Sequence, residues 1–381
     1  MKRIVSLLVL ACFGAVASAQ TDSTRTLEIL NEKQSEYIPV FQYWEEHDIF
    51  QHLDVSLTAG TPGIGIEVAS PIGKYFQIRA GYEIMPHFTK TMEFGLTIDG
   101  KPARQYDSNG NRVETRFDRM RNLLYEMSGY DVEDHVDMDG SPRLSNAKLL
   151  VDVFPFKNNK HWRFTVGFYW GSSTFAVADN TAESMVSLLS VGMYNRMYDR
   201  AVAGEPLLNW EEFGLTEDQI EKYHLNAVPT DKFKDLGRLG FAVGYYKNDV
   251  YGTYKQDVYD EDGNWIHAKG EYGVLHAAGE RYIMEPGDDG MVHVKAKSNA
   301  FKPYVGFGYE GRLLKNHDDW KIGVDAGAMF WGGTPDLYNH EGINLTKDVY
   351  DISGQVGRYV KLFKAFKVYP VLSLRLTKRI F

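Results

Sequence analysis

Hydrophobic and polar residues alternate with a period of two in several segments of the chain. The pattern is clearest from Phe76 to Ile84, from Trp162 to Trp170 and from Trp320 to Phe330. Successive side chains of a β-strand point to opposite faces, so this spacing predicts strands with one apolar face. Strands of about nine to eleven residues can cross a bilayer when tilted. Weaker copies of the pattern occupy residues 53–59, 64–70, 147–155, 301–312 and 368–380.

These eight segments predict an all-β fold. We expect a transmembrane antiparallel up-and-down β-barrel of eight strands, with large extracellular loop insertions that contain hairpins and short helices. Short polar turns are expected at 71–74, 157–160 and 315–319, on the same side as both termini. Ten strands are an alternative, because residues 239–254 and 264–275 could pair within the barrel.

A soluble β-sandwich would show the same alternation with its apolar face turned inward. Aromatic residues near the predicted strand ends favour the membrane barrel instead, because tryptophan and tyrosine are enriched at membrane surfaces. The residues in question are Trp162, Trp170, Trp320, Trp331, Tyr75 and Tyr304.

The predicted inward positions carry almost balanced charges. An eight-stranded barrel has an interior about wide enough for side chains, where charges must pair to offset desolvation. We therefore expect an ion-pair network that fills the lumen, and a selectivity ring in an open channel is the alternative. The inward acids are Asp54, Glu67, Glu83, Asp152, Glu310 and Asp325, and the inward bases are Arg79, Lys148, Arg163, Lys302, Arg312, Lys321 and Arg375.

The N-terminus has the pattern of an export signal. Lys2 and Arg3 precede an apolar stretch, and Ala17-Ser-Ala19 supplies small residues for a cleavage site, so residues 1–19 are predicted to be a signal peptide. A lipobox ending at Cys12, the single cysteine, is the alternative, which leaves lipidation of that residue open.

Most of the chain is predicted to lie outside the barrel strands. Eight strands of about eleven residues account for on the order of 90 residues. Residues 51–381 are therefore assigned to an outer-membrane β-barrel with insertions at about 89–144, 177–300 and 333–366. Residues 20–50 are assigned to an N-terminal periplasmic segment. Connections of this length are uncommon without structure of their own, so we expect them to fold.

Turn signals recur in the predicted insertions, where Asn-Gly and Asp-Gly tolerate the positive φ of a tight hairpin. A calcium loop is an alternative for one of them, with His135 at its first position and Asn146 at its twelfth. That ligand set is incomplete, and no metal is assigned. The four predicted turns are Asp107-Ser-Asn-Gly110, Asp137-Met-Asp-Gly140, Asp260-Glu-Asp-Gly263 and Asp288-Asp-Gly290.

Two segments have helical periodicity. One begins after Asn180, with Glu183 placed as in a capping box, and the other spans 346–364. The location of the second helix, extracellular, periplasmic or inside the barrel as a plug, is left open. The first apolar face consists of Met185, Leu188, Leu189, Met193 and Met197, and the second of Leu345, Val349, Ile352, Val356, Tyr359 and Phe363.

Linear catalytic motifs are missing from the sequence. It has no G-x-S-x-G elbow, H-E-x-x-H pair or P-loop. A lipid-modifying barrel enzyme would leave no linear motif, since its residues come from different strands, and His87 and His135 are the candidates such an enzyme would offer. Without a placed nucleophile we assign no catalytic, cofactor-binding or metal-binding residue and leave binding residues unknown.

Several blocks together resemble small outer-membrane β-barrel proteins of the Bacteroidota type. They are Leu149-Leu-Val-Asp-Val-Phe-Pro-Phe156, Trp162-Arg-Phe-Thr-Val-Gly-Phe168, Lys302-Pro-Tyr-Val-Gly-Phe-Gly308, Gly333-Thr-Pro335 and Tyr369-Pro370. The resemblance implies a barrel of about eight strands and no settled activity. A terminal strand that ends at Phe381 further implies recognition by the barrel assembly machinery, although Phe381 falls on the wrong face unless a bulge resets the register.

The sequence hypothesis is a non-catalytic protein of the cell outer membrane whose extracellular loops bind a ligand, glycan or partner at the cell surface. A narrow porin-like solute channel and a lipid-modifying barrel enzyme are the alternatives. Outer-membrane lipid and lipopolysaccharide are the expected surroundings. The net charge of -9 argues against a nucleic-acid partner, which would require a basic surface. The surface ligand and the oligomeric state are left open.

Overall fold

A computed structural model gives the fold. It describes residues 49–129, 131–156, 159–204, 207, 216–222, 233–241, 243–254, 258–259, 265–287, 289–315 and 317–380. The described residues from His52 onward form one structural unit. The predicted signal peptide, Cys12, nearly all of the 20–50 segment, the 260–263 turn and Phe381 lie outside the described residues.

The described residues form twenty-five strands of different lengths and four helices. In chain order the strands are β1 Asp54–Gly60, β2 Gly63–Ile72, β3 Phe76–Ile84, β4 Lys90–Gly95, β5 Thr97–Ile98, β6 Lys101–Pro102, β7 Gln105–Tyr106, β8 Arg112–Val113, β9 His135–Pro142, β10 Ser145–Val153, β11 Trp162–Gly171, β12 Thr174–Asn180, β13 Leu239–Gly240, β14 Val243–Tyr246, β15 Val250–Thr253, β16 Val258–Tyr259, β17 Trp265–His267, β18 Tyr272–His276, β19 Arg281–Ile283, β20 His293–Lys297, β21 Phe301–Leu314, β22 His317–Phe330, β23 Asp336–Tyr338, β24 Val349–Tyr350 and β25 Val368–Arg379. The described helices are α1 Arg116–Ser128, α2 Ala182–Ala203, α3 Glu217–Lys222 and α4 Gly354–Ala365.

Eight strands close into an antiparallel barrel in the order β1-β2-β3-β10-β11-β21-β22-β25, with β25 paired to β1. The predicted eight-stranded fold is therefore confirmed. The ten-strand alternative is wrong, because β13 to β18 pair in small sheets outside the barrel. β13 pairs with β5, and β14 pairs with β19 and β24, all of them strands outside the barrel, so this region adds nothing to the barrel wall.

Apolar side chains cover the outside of the barrel, as the alternation predicts. Leu57, Phe164 and Leu374 are about 60% exposed, whereas the intervening positions point inward and are buried. The register of β25 against β1 runs from Asp54–Arg379 to Gly60–Ser373 without a bulge. An apolar exterior around a charged interior is the arrangement expected of strands surrounded by lipid. Among the described residues, no helix is long and apolar enough to span a membrane.

The two ends of the barrel differ. At the turn end, residues 73–75, 154–161 and 315–316 connect neighbouring strands. At the insertion end, defined by Gly60, Ile84, Gly171, Phe330 and the strand ends paired with them, the two-residue connection 61–62 lies beside three long ones. These insertions span residues 85–144, 172–300 and 331–367.

The three insertions fold together into one domain, called here the insertion domain. Its main sheet has the order β23-β20-β12-β9-β4, and α2 and α4 contact β9 and β4. One continuous hydrophobic core contains Phe94 from the first insertion, Leu188 from the second and Ile352 from the third. Since none of the insertions buries this core alone, they form a single folding unit.

The hairpin predictions have mixed outcomes. The turn at Asp107 is confirmed: it joins β7 to β8, the Asp107 Oδ1 accepts two backbone N–H groups at 2.8 Å, and Gly110 has φ 82°. The turn predicted at 137–140 is wrong, because these residues lie inside β9. There they pair with β4 on one side and β12 on the other, so pairing between strands of the sheet overrides the local turn signal.

The N-cap of helix α2 lies one residue later in the chain than predicted. Thr181 is the N-cap and accepts the N–H of Ser184, whereas Asn180 belongs to the sheet and accepts the N–H of Val292 at 2.7 Å. Part of the predicted apolar face is also wrong. Leu189 and Met193 are more than 40% exposed, because α2 packs on the core through a neighbouring stripe that includes Tyr194.

The helix predicted over 346–364 is shorter than expected. Helix α4 covers its second half, and it lies at the insertion end, with the Tyr359 ring 5.6 Å from the Phe94 ring. Leu345 and Val349 are buried in a loop and in β24 instead. Their spacing therefore reflects burial in the core and not a helical turn.

The aromatic residues at strand ends divide into two groups. Trp162, Trp170 and Tyr75 are exposed on the barrel exterior, as predicted. Trp331 and Tyr304 are 4% and 3% exposed, so the prediction that they face the membrane surface is wrong. The side chain of Tyr304 points into the lumen, and Trp331 packs between Phe175 of the insertion domain and Tyr369 of the barrel.

Candidate functional site

Charged side chains fill the middle of the barrel lumen. Arg79 contacts Asp152 at 2.8 Å and Glu67 at 3.3 Å, and Lys148 contacts Glu67 at 2.8 Å and Glu83 at 2.5 Å. These five side chains come from three neighbouring strands, β2, β3 and β10, and each is at most 5% exposed. Ion pairs between these buried groups offset the free-energy cost of removing each charge from water.

The network continues toward the turn end. Arg163 contacts Asp325 at 2.6 Å, Arg375 pairs with Glu67 at 2.9 Å and with Glu310, and Lys321 joins Glu310 at 3.3 Å to Asp54 at 3.5 Å. The predicted ion-pair network is present in the lumen. Arg312 is an exception to the assigned inward set, because it lies exposed at the end of β21, where the register shifts.

An apolar layer lies in the lumen nearer to the insertion end. Leu150, Tyr169, Tyr304, Met329 and Val371 contact one another and are each at most 3% exposed. The Tyr169 and Tyr304 rings meet edge to face with their centroids 5.4 Å apart. Together with the charges below it, this layer places buried side chains across the lumen from its middle toward the insertion end.

Closer still to the insertion end, Lys302 has a different environment. Its ammonium group is fully buried and donates to Asn146 Oδ1 at 3.0 Å and to the backbone carbonyl of Ser172 at 3.1 Å. Because Ser172 begins the second insertion, this contact ties that insertion to the barrel wall.

The insertion domain leaves one face of its main sheet open. One face of this sheet packs on the core and carries Phe94, Val136 and Leu337. The residues that alternate with these along each strand point to the opposite face. Cross-strand partners share a face, so the register places the following residues on the open face: Thr91, Glu93, His135, Asp137, Asp139, Ser141, Val177, Asp179, His293, Lys295, Lys297, Asp336 and Tyr338.

Acidic residues form the part of the open face that lies farther from the barrel. Asp139 pairs with Asp179, and Asp137 with Glu93. Neighbouring groups hold these carboxylates in place: Thr91 Oγ1 donates to Asp139 at 2.6 Å, and His293 Nδ1 lies 2.7 Å from Asp179. The side chains of Glu93 and Asp179 are about half exposed, so a ligand can reach this acidic part.

Three possible metal ligands meet at the far end of the open face. Atoms of Glu93, His135 and Asp137 lie within 4.8 Å of one another. Arg104 lies beside them, 3.2 Å from Glu93 Oε1 and 3.4 Å from His135 Nδ1, and its positive charge opposes a cation there. The calcium loop considered for His135 and Asn146 does not form, because His135 belongs to β9 and Asn146 is buried in β10.

Asp134 anchors this end of the open face. Arg104 donates to it at 2.6 Å, Arg112 lies 3.2 Å away, and His135 Nδ1 lies 3.0 Å away. The hydrogen bond from Arg104 is the main reason that the pKa of Asp134 falls from 3.8 to about 2. This carboxylate is 8% exposed, so its ion pairs act at low dielectric and stabilise the loop before β9.

The two histidines considered for catalysis lie in different places. His87 is exposed in the connection between β3 and β4, and His135 is held between Asp134 and Arg104.

The open face was not predicted from the sequence. The signal for it was present, since His135, Asp137 and Asp139 alternate with the buried Val136 and Met138.

Comparisons with known proteins identify no family. No family model matches the sequence, and no curated protein matches it. Solved structures similar to this chain include those of Acinetobacter baumannii CarO2 and CarO. CarO2 has 12% identity over 87% of this chain and 99% of its own, with a TM-score of 0.35. CarO has 11% identity over 86% and 97%, with a TM-score of 0.31. Similarity at this level carries no functional argument, and the resemblance to the Bacteroidota type stays a prediction.

Proposed function

We propose that this protein is a non-catalytic outer-membrane β-barrel that presents a ligand-binding domain at the cell surface. One observation carries the proposal: three insertions at the same end of the barrel share one core and leave a polar sheet face open. Long connections of outer-membrane barrels lie on the extracellular side, and short turns lie on the periplasmic side. The open face would then be in contact with the medium.

The chemistry of the open face favours a cationic ligand. Its outer part contains Asp139 and Asp179, which lie next to each other and apart from the Glu93 carboxylate that pairs with Arg104, and the Asp179 side chain is 47% exposed. Carboxylates on a rigid sheet offer fixed acceptors for ammonium or guanidinium groups, and charge-assisted hydrogen bonds are stronger than neutral ones. A lysine-rich peptide is therefore a suitable first probe.

Binding of a fluorescent lysine-rich decapeptide to the full-length protein in detergent would test this proposal. The double variant Asp139→Asn, Asp179→Asn should bind it about tenfold more weakly, because each lost charge-assisted contact is worth roughly 1.5–3 kcal/mol and exposure reduces that value. Asp107→Asn, on the β7–β8 hairpin, is the matched control and should bind normally. Equal losses in both variants, or none in either, would reject the open face as the binding site.

A solute channel is the alternative that the lumen argues against. The buried network around Arg79 and the apolar layer around Tyr304 fill the space that ions would cross. A lipid-modifying enzyme has weaker support, because His135 is held between Asp134 and Arg104 and His87 lies exposed in the connection between β3 and β4. Mass spectrometry of membrane lipids after expression would reveal such an activity, and a new lipid species would overturn the non-catalytic proposal.

A further inference from the structure

A polar cavity of about 230 Å³ lies where the insertion domain joins the barrel. Its lining includes Ser173, Asn299 and Trp331. These residues lie next to the ends of β11, β21 and β22 respectively, which are neighbours in the barrel. The cavity therefore lies directly above the ends of three adjacent barrel strands.

The cavity lining carries more positive than negative charge. Lys297, Lys347 and Asp336 all line it. Asp336 accepts from Lys347 at 2.6 Å and from Asn344 Nδ2 at 2.9 Å, so its charge is already neutralised. Among the described residues, the contact recorded for the Lys297 ammonium is the Tyr338 ring, 5.0 Å from its centroid. Lys297 lies opposite Asp336 in the β20–β23 register and forms no ion pair among the described residues, so the lining keeps one net positive charge.

Neutral hydrogen-bond donors surround this charge. Ser173, Ser298 and Thr334 contribute hydroxyl groups to the lining. The Nε1–H of Trp331 is buried and has no hydrogen-bond partner among the described residues. Because an indole can donate but not accept, the group it lacks is an acceptor such as an anionic oxygen.

A glycine shapes one wall of the cavity. Gly332 has φ 86°, and a Cβ there would lie 1.9 Å from the side-chain nitrogen of Asn299. Any larger residue would push this amide out of its place. The amide of Asn299 and the backbone of Gly332 therefore form a close-fitting polar wall next to Trp331.

The barrel surface below the cavity indicates what surrounds it. Trp170, Phe301 and Phe330 end the same three strands and point outward, with exposed fractions of 64%, 52% and 39%. Aromatic side chains of membrane barrels concentrate at the boundary between acyl chains and headgroups. On that basis the cavity, which follows these residues along the chain, lies at the depth of the headgroups.

We propose that this cavity binds the phosphate group of a lipid in the surrounding leaflet. Lys297 would supply the charge, the hydroxyl groups and the Asn299 amide would donate to the phosphate oxygens, and the acyl chains would lie against the aromatic strand ends. Basic pockets at this depth are suited to anionic headgroups. The inference rests on the proposed membrane location of the barrel and adds a specific lipid contact to it.

Binding of three probes to the detergent-purified, full-length protein tests the proposal by native mass spectrometry. The probes are bisphosphorylated lipid A, the same lipid without its phosphates, and inorganic phosphate. We expect lipid A to bind at least about tenfold more tightly than either of the others, and Lys297→Gln to remove about tenfold of that affinity. Lys295→Gln is the matched control, since this residue lies on the same strand and face but outside the cavity lining.

Each alternative result has a distinct meaning. Equal losses in Lys297→Gln and Lys295→Gln would show a diffuse charge effect and overturn the cavity assignment. Equal binding of the dephosphorylated lipid would overturn phosphate recognition, and equal binding of inorganic phosphate would overturn the lipid as its source. Heat-modifiable migration on gels shows whether each variant is folded. Membrane fractionation of cells tests the location separately, so a failure of the proposed function is distinguishable from a failure of this inference.

Discussion

Replacing Arg79 with methionine is the sharpest test of the lumen network. The guanidinium group lies 2.8 Å from Asp152, 3.3 Å from Glu67 and 3.6 Å from Asp325, and the residue is 2% exposed. Removing one partner of a buried ion pair typically costs about 3–5 kcal/mol, because it leaves a charge without compensation. Lys148 and Arg163 still contact two of these acids, at 2.8 Å and 2.6 Å. The expected loss is therefore about 3–5 kcal/mol in total, and not that amount for each acid.

Urea unfolding in lipid vesicles, followed by tryptophan fluorescence, measures this loss. Adding Asp152→Asn to Arg79→Met removes the carboxylate that the arginine contacted most closely, so the double variant should be more stable than the sum of the single effects by roughly 0.5–3 kcal/mol. Lys378→Met is the control, because Lys378 points outward over Trp320 and its loss should cost less than about 1 kcal/mol. A loss below about 1 kcal/mol for Arg79→Met, or strict additivity, would refute the account of the lumen.

Three further predictions concern the lumen layer, the domain core and acid stability. Planar-bilayer recordings of the wild-type barrel should show no steady unitary current, because the layer around Tyr304 closes the lumen, and a reproducible current step would contradict this. Leu188→Ala empties a fully buried site and should cost the insertion domain about 2–5 kcal/mol. Limited proteolysis should then cleave the domain while the barrel stays heat-modifiable, and a protease-resistant domain would argue against a shared core. Arg104→Gln should raise the low pKa of Asp134, whose stabilising effect exists above the unfolded value of 3.8 and disappears as the pH falls toward about 2. The variant should therefore be about 1–2 kcal/mol less stable at pH 6, with a difference that narrows below pH 4 in chemical unfolding, and a constant difference would exclude this cause.

The barrel could be predicted from the sequence because its signal is local. Each strand, such as Phe76–Ile84, shows its two faces within nine residues, and the inward set from Asp54 to Arg375 follows from the same alternation. Four of the eight barrel pairings also join strands that are separated by short connections: β1–β2, β2–β3, β10–β11 and β21–β22. Local alternation and short turns are therefore enough to specify both the strands and the charged lumen.

The open face could not be predicted because it depends on pairing between distant segments. Asp139 and Asp179 become neighbours through the β9–β12 register, and Glu93 meets Asp137 only because β4 pairs with β9. The Asp-Met-Asp-Gly turn signal also competed with the true strand. Similarly, the burial of Trp331 depends on Phe175 and Tyr369, which lie far from it in the sequence.

The shared core of the three insertions links folding of the insertion domain to the C-terminal part of the chain. Val356 and Val360 of α4 complete a core that begins with Phe94, and α4 directly precedes the strand that closes the barrel against β1. The domain therefore lacks part of its interior until nearly the whole polypeptide has been placed. A chain that stops after β22 would expose the apolar side chains of the first two insertions. The insertion domain therefore becomes resistant to protease late in folding. Its resistance would indicate that β25 has joined the barrel.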